Sequence, residues 1–237
     1  MNYHFSYLVG TLFFFMAWML CLLVGTRYRR QSLWGSVVSA PFALTSILFI
    51  PQYWTPPSLL NLDARYKVGI EDFLWAAAVG GIASVIGEMV LEERLTRTRK
   101  ETHKKYFAPF LLLGILLVIL QLWHPGKTIY NMIAALSVCA LVILLLRPDL
   151  CPVQAVGALT FTVLYWMLFE LLLRLYPNFI AQFYTVKNLL GIYVLGVPVE
   201  ELLFAASGGA VWSVAYEYLQ GYRLRSDGGL HFARVQL

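Results

Sequence analysis

Seven long apolar runs alternate along the chain with short connections that are polar or carry proline: residues 7–24, 33–50, 68–91, 107–123, 129–146, 153–175 and 189–219. Each approaches or exceeds the roughly 20 residues a helix needs to cross a hydrocarbon core of about 30 Å. The pattern predicts an all-α, polytopic membrane protein with seven transmembrane helices. Pro56-Pro57 and Pro125-Gly126 are turn signals. Residues 178–187 mix aromatic and polar side chains and are expected along the membrane interface. The first run has no basic stretch before it and no small-residue cleavage site after it. It therefore reads as a retained helix and not a removed leader.

The runs repeat. Glu71-Asp72-Phe73-Leu74-Trp75-Ala76-Ala77 lies over Glu200-Glu201-Leu202-Leu203-Phe204-Ala205-Ala206 at an offset of 129 residues. The match continues through Gly80 and Gly209, Ser84 and Ser213, Glu88 and Glu217, and Arg94-Leu95 and Arg223-Leu224. Polar identities inside membrane helices are costly, which argues against coincidence. The offset pairs the third run with the seventh, the second with the sixth and the first with the fifth. The fourth is left as a linker. The expected organisation is two parallel three-helix repeats, residues 1–105 and 128–237, joined by a linker span at 106–127. Runs three and seven cross in the same direction, so the halves relate about an axis near the membrane normal. Two acid-bearing helices can then face one cavity, with Gly80-Gly81 and Gly208-Gly209 permitting close contact there.

Composition strengthens the membrane reading: 59% of residues are hydrophobic and 13% charged, against about 25% charged in soluble domains. The net charge of +5 comes from loops and tail and does not form a nucleic-acid-binding face. Of the 18 Lys and Arg, 13 fall on one side of the alternating runs. That bias predicts an outside N-terminus and a cytoplasmic C-terminus. Cys21, Cys139 and Cys151 show no metal or disulfide spacing, and the four His lie in termini, loops or at an interface. No metal site is expected.

The candidate chemistry sits in Pro198-Val199-Glu200-Glu201, two adjacent acids in an apolar run without Lys or Arg. If the helix starts at residue 189, Glu200 lies about 15 Å in, near mid-bilayer, with Pro198 interrupting the helix just before it. A carboxyl so placed is expected to be neutral and able to donate a proton. Neighbouring acids diverge by about 100° on a helix. The Glu200 face would hold Tyr193, Gly196, Phe204 and Ser207; the Glu201 face, Phe204, Ala205, Gly208 and Trp212. A proton donor among aromatic faces, with few other polar groups, suits protonation of an apolar alkene and stabilisation of the resulting cation. Glu88 and Glu217 are expected near the cytoplasmic ends as solvated or capping acids, and Glu170 with Arg174 as an i, i+4 pair.

Pro198-Val199-Glu200-Glu201-Leu202-Leu203-Phe204 resembles the Pro-x-Glu-Glu-x-x-Phe signature of the membrane lycopene cyclases. Length and duplication resemble the fused two-domain form of that family. In the first copy Gly69 stands where proline is expected, and Asp72 is its second acid. The resemblance implies non-redox cyclisation of the ψ-ends of lycopene to β-rings, with lycopene and membrane lipid as partners. It points to Glu200 as principal acid, Glu201 as its partner or the proton acceptor, and Glu71 and Asp72 as supporting acids. Pro198, Phe204, Trp212 and Trp75 are expected to contact the polyene. No nucleotide motif lies beside any run, so neither flavin nor nicotinamide is expected.

Two other readings compete. A CAAX-type intramembrane protease also has a Glu-Glu pair, but its motif continues to an Arg where this chain has Ala205, and no run contains His. A non-enzymatic binding or transport protein would need a polar path, and only the acid level is polar. A retinal-type rhodopsin would need a Lys within a run, and none has one.

Overall fold

The computed structural model describes residues 3–91, 94–96 and 107–225. The chain is mostly helical. Ten α-helices follow in order among the described residues: α1 Ser6–Val24, α2 Arg29–Ser39, α3 Ser46–Phe49, α4 Leu62–Tyr66, α5 Ile70–Leu91, α6 Ala108–Trp123, α7 Thr128–Leu146, α8 Cys151–Leu175, α9 Phe179–Phe183 and α10 Val199–Gln220. Two small antiparallel ladders complete them, β1 Arg94–Thr96 with β4 Arg223–Arg225, and β2 Tyr193–Val194 with β3 Val197–Pro198.

Five described stretches are long and apolar enough to cross a membrane: Tyr3–Val24, Thr26–Phe49, Ile70–Leu91, Thr128–Leu146 and Pro148–Leu175. The second is not one regular helix. Pro41 supplies no N–H, and Ala40–Thr45 tightens into a 3-10 segment between α2 and α3. Helix α6 is apolar but only 16 residues long, and α10 carries Glu200, Glu201 and Glu217. Outward positions such as Met16, Leu20, Leu122, Leu145 and Leu159 are exposed, the arrangement lipid would cover.

The last apolar run departs from expectation. Residues 189–198 are not helical. Leu195 and Gly196 take positive φ in the turn of the β2–β3 hairpin, and α10 starts only at Val199, with Pro198 as its N-cap. Proline there forfeits no helical hydrogen bond, so it opens the helix instead of breaking one. Glu200 consequently lies in the first turn, not about 15 Å along. Glu71 and Asp72 hold the same place in α5. Helices α5 and α10 are each 22 residues long, and both begin and end 129 residues apart. The β1–β4 ladder places Leu95 opposite Leu224.

Helices α5 and α10 form the centre and contact each other. Helix α5 packs on α1 and α2, and α10 packs on α7 and α8, while α5 also meets α8. The glycines act differently from the sequence expectation. A Cβ on Gly80 or Gly81 would collide with Ser39 or Ser36 of α2, and one on Gly209 would press on Ala158 and Phe161 of α8. These glycines close each half on itself, while Gly208 has open space beside it. Three helices meet at Gly157 of α8, where an added Cβ would strike Ser213 of α10 and lie 3.7 Å from Gly87 Cα of α5. Gly157→Leu is expected to destabilise the fold by about 1–3 kcal/mol, the usual range for overpacking. The check is folded protein recovered from membranes; unchanged recovery and thermal stability would contradict this packing.

Glu88 and Glu217 are also placed differently. Both are completely buried, on facing helices α5 and α10, and their carboxyl groups interact. They are interior groups, not solvated caps. The Glu170–Arg174 pair forms, at 3.5 Å.

Candidate active site

Between the two acid-bearing helices lies an apolar cavity of about 180 Å³. An apolar cavity of about 150 Å³ holds a benzene molecule, so this space is of the size of one six-membered ring. Trp75 of α5 and Phe204 of α10 both line it and stack on each other, ring centroids 6.2 Å apart and planes 15° from parallel. Phe14, Phe161 and Trp212 add further aromatic wall.

Two carboxyl groups reach this wall, Asp72 from α5 and Glu201 from α10. They are 3% and 5% exposed. Each is the second acid of its pair. The first acids turn elsewhere, as the 100° step between neighbours requires. Glu200 accepts the Tyr130 hydroxyl at 2.6 Å and the Leu190 backbone N–H at 2.6 Å. Glu71 accepts the Leu59 N–H at 2.6 Å. Both first acids thus tie down the loop that leads into their helix, and neither lines the cavity. The expected Glu201 face is where sequence placed it: Phe204, Ala205, Gly208 and Trp212 all line the cavity with it. The expected Glu200 face does not exist as such, because Tyr193 and Gly196 precede the helix. Of the expected contact residues, Trp75, Phe204 and Trp212 line the cavity, whereas Pro198 caps α10 behind it.

The site is more polar than the sequence suggested, because tyrosines gather on the acids. Glu201 accepts three phenol hydroxyls: Tyr53 at 2.8 Å and Tyr184 at 2.9 Å on Oε1, and Tyr165 at 2.5 Å on Oε2. Asp72 accepts the Tyr7 hydroxyl at 2.6 Å and the Gly69 N–H at 2.7 Å. Two loops joined by backbone bonds bring Tyr53 and Tyr184 together. Thr185 N–H donates to Tyr53 O at 2.8 Å and Thr55 N–H to Phe183 O at 2.8 Å, which leaves the two rings 5.3 Å apart. Residues 178–187 are therefore not merely interfacial: Phe179, Ile180 and Tyr184 are buried. Burial, and then the neighbouring Glu201, raise the Tyr53 and Tyr184 hydroxyls well above their ordinary value. Both stay protonated and remain donors. The signal for Tyr7 and Tyr165 was a hydroxyl within an apolar run; Tyr53 and Tyr184 gave none, because only loop pairing places them.

Among the described residues no group of His, Cys, Asp or Glu could hold a metal ion, and all three cysteines are free.

Residues 127–219 match the family model described as Lycopene cyclase. This stretch is therefore similar to the lycopene cyclase family. No curated protein and no solved structure matches the chain. The matched cyclase segment contains Glu200, Glu201, Tyr130, Tyr165, Tyr184 and the aromatic face of α10, whereas Tyr7, Tyr53, Asp72 and Trp75 enter the cavity from outside it. That similarity supports a role in carotenoid cyclisation, and the apolar helices support a membrane setting.

Proposed function

We propose that this chain is a lycopene cyclase that converts the ψ-ends of lycopene to β-rings by proton transfer alone. One observation carries the reading: a carboxyl group from each acid-bearing helix lines a single aromatic cavity. Asp72 and Glu201 are the proton-transferring pair, one delivering and the other removing. A proton added to the terminal alkene leaves a tertiary cation. The neighbouring alkene attacks it, the ring bond forms, and the charge moves to the methyl-bearing ring carbon. Loss of the adjacent ring proton gives the new double bond. Substrate and product are isomers, so the balance needs neither electrons nor a redox cofactor. Trp75 and Phe204, stacked on each other in the cavity wall, offer π faces to the cation. Glu200 and Glu71 position the helix starts.

The repeat reading assigns seven crossings, two three-helix halves and α6 as linker. Its support is the common length and 129-residue offset of α5 and α10. The Lys and Arg bias supports an outside N-terminus. A cavity of that size takes one end of the substrate at a time.

Purified protein in liposomes is expected to cyclise lycopene without added cofactor. In heavy water each ring should gain one deuterium, read by mass spectrometry of the pigment. A strict requirement for reduced flavin, or rings formed without deuterium, would overturn the reading.

A further inference from the structure

Asp63 lies in the one-turn helix α4, in the connection before α5, and is 3% exposed. It does not line the cavity, yet its carboxyl faces that of Asp72, with Glu71 close by and the Ser58 hydroxyl beside it. From α1, Tyr7 also faces this group. The Ser58 hydroxyl and the Asp72 carboxyl are the hydrogen-bonding neighbours of the Asp63 carboxyl. Arg65 and Lys67, next along the segment, are exposed to solvent. Two buried carboxyl groups face to face are held together by a shared proton, because two buried like charges repel strongly. Asp72 already accepts the Tyr7 hydroxyl and the Gly69 N–H, and Asp63 has fewer donors, so the shared proton is assigned to Asp63.

The second half has no counterpart. The residue 129 positions after Asp63 is Ile192, an exposed apolar side chain. Glu201 has three phenol donors instead. The two halves are built alike but differ in what stands behind the acid.

We propose that Asp63 is the proton store of the reaction: its proton passes to Asp72 and on to the terminal alkene carbon, and Glu201 removes the ring proton. This rests on the cyclase reading above and gives it a direction. The alkene π pair forms the new C–H bond, and the ring C–H pair becomes the ring double bond. One proton moves from Asp63 to Glu201 per ring, and water refills the first and empties the second. Asp63 is a positioning and supply residue; only Asp72 and Glu201 touch the substrate.

Burial and the neighbouring Asp72 raise the Asp63 carboxyl to about 7. The store is full below that pH and is lost as pH rises through it. The test is the pH profile of lycopene turnover by the full chain in liposomes, for the unmodified protein, Asp63→Asn and Asp63→Glu. The unmodified protein is expected to lose turnover as pH rises through about 7. Asp63→Asn keeps the size of the side chain but carries no exchangeable acid proton. It should be slower by roughly 10- to 100-fold at pH 6, the lower part of general acid–base contributions, and should lose the limb near pH 7. Asp63→Glu should restore both rate and limb. An Asp63→Asn protein with unchanged rate and profile overturns the store. So does Asp63→Glu as inactive as Asp63→Asn, which would mark a purely structural group. No conversion by the unmodified protein overturns the cyclase reading, and the store with it.

Discussion

Glu201→Gln is expected to lower cyclisation by 10²- to 10⁴-fold, the range general acid–base groups contribute, with little loss of protein from the membrane. Glutamine keeps the size of the side chain and an acceptor oxygen for the phenols, but it cannot take a proton. The three hydroxyls around Glu201 come from Tyr53, Tyr165 and Tyr184 and can turn to accept the new amide N–H, so the cavity wall should persist. Glu200→Gln is expected to behave in the opposite way. Glu200 joins Tyr130 to the Leu190 N–H outside the cavity, and weakening that tie should cost about 1–3 kcal/mol of stability. Its turnover per folded molecule should stay near normal. Pigment chromatography at matched membrane levels separates the two effects. A dead Glu200→Gln beside a fully active Glu201→Gln would move the chemistry to the other face of α10.

Asp72→Asn should remove activity to a similar degree, while Glu71→Gln should act through stability. Asp72 lines the cavity and is held by Tyr7 and Gly69; Glu71 holds the Leu59 N–H and lines nothing. Because Asp72 and Glu201 serve one turnover, the double variant Asp72→Asn, Glu201→Gln should be little slower than either single variant. Groups acting as a unit are strongly non-additive. If the two losses instead multiplied, the two acids would be acting at separate sites and not as a unit. The measurement is rate per folded molecule for the two single variants and the double.

The sequence alone determined the helical, membrane-type architecture, because apolar runs of this length have few other uses. The 129-residue offset was also legible there, and α5 and α10, each 22 residues long, begin and end that far apart. Periodicity further determined which residues share a face with Glu201. It could not tell which face meets the cavity, because a repeat of 3.6 residues fixes relative directions around a helix and not its rotation in the fold. That choice, Glu201 and Asp72 over Glu200 and Glu71, was made by tertiary packing. Depth was decided there too: a turn at Leu195 and Gly196 delays the helix until Val199, a backbone event that apolarity does not signal. The tyrosine cradle was beyond sequence reasoning for the same cause. Tyr53 and Tyr165 stand 148 and 36 residues from Glu201, and contacts at that range carry no periodic mark. Asp63 lies near Arg65 and Lys67 in the connection before the third run, and only the fold turned it inward to face Asp72.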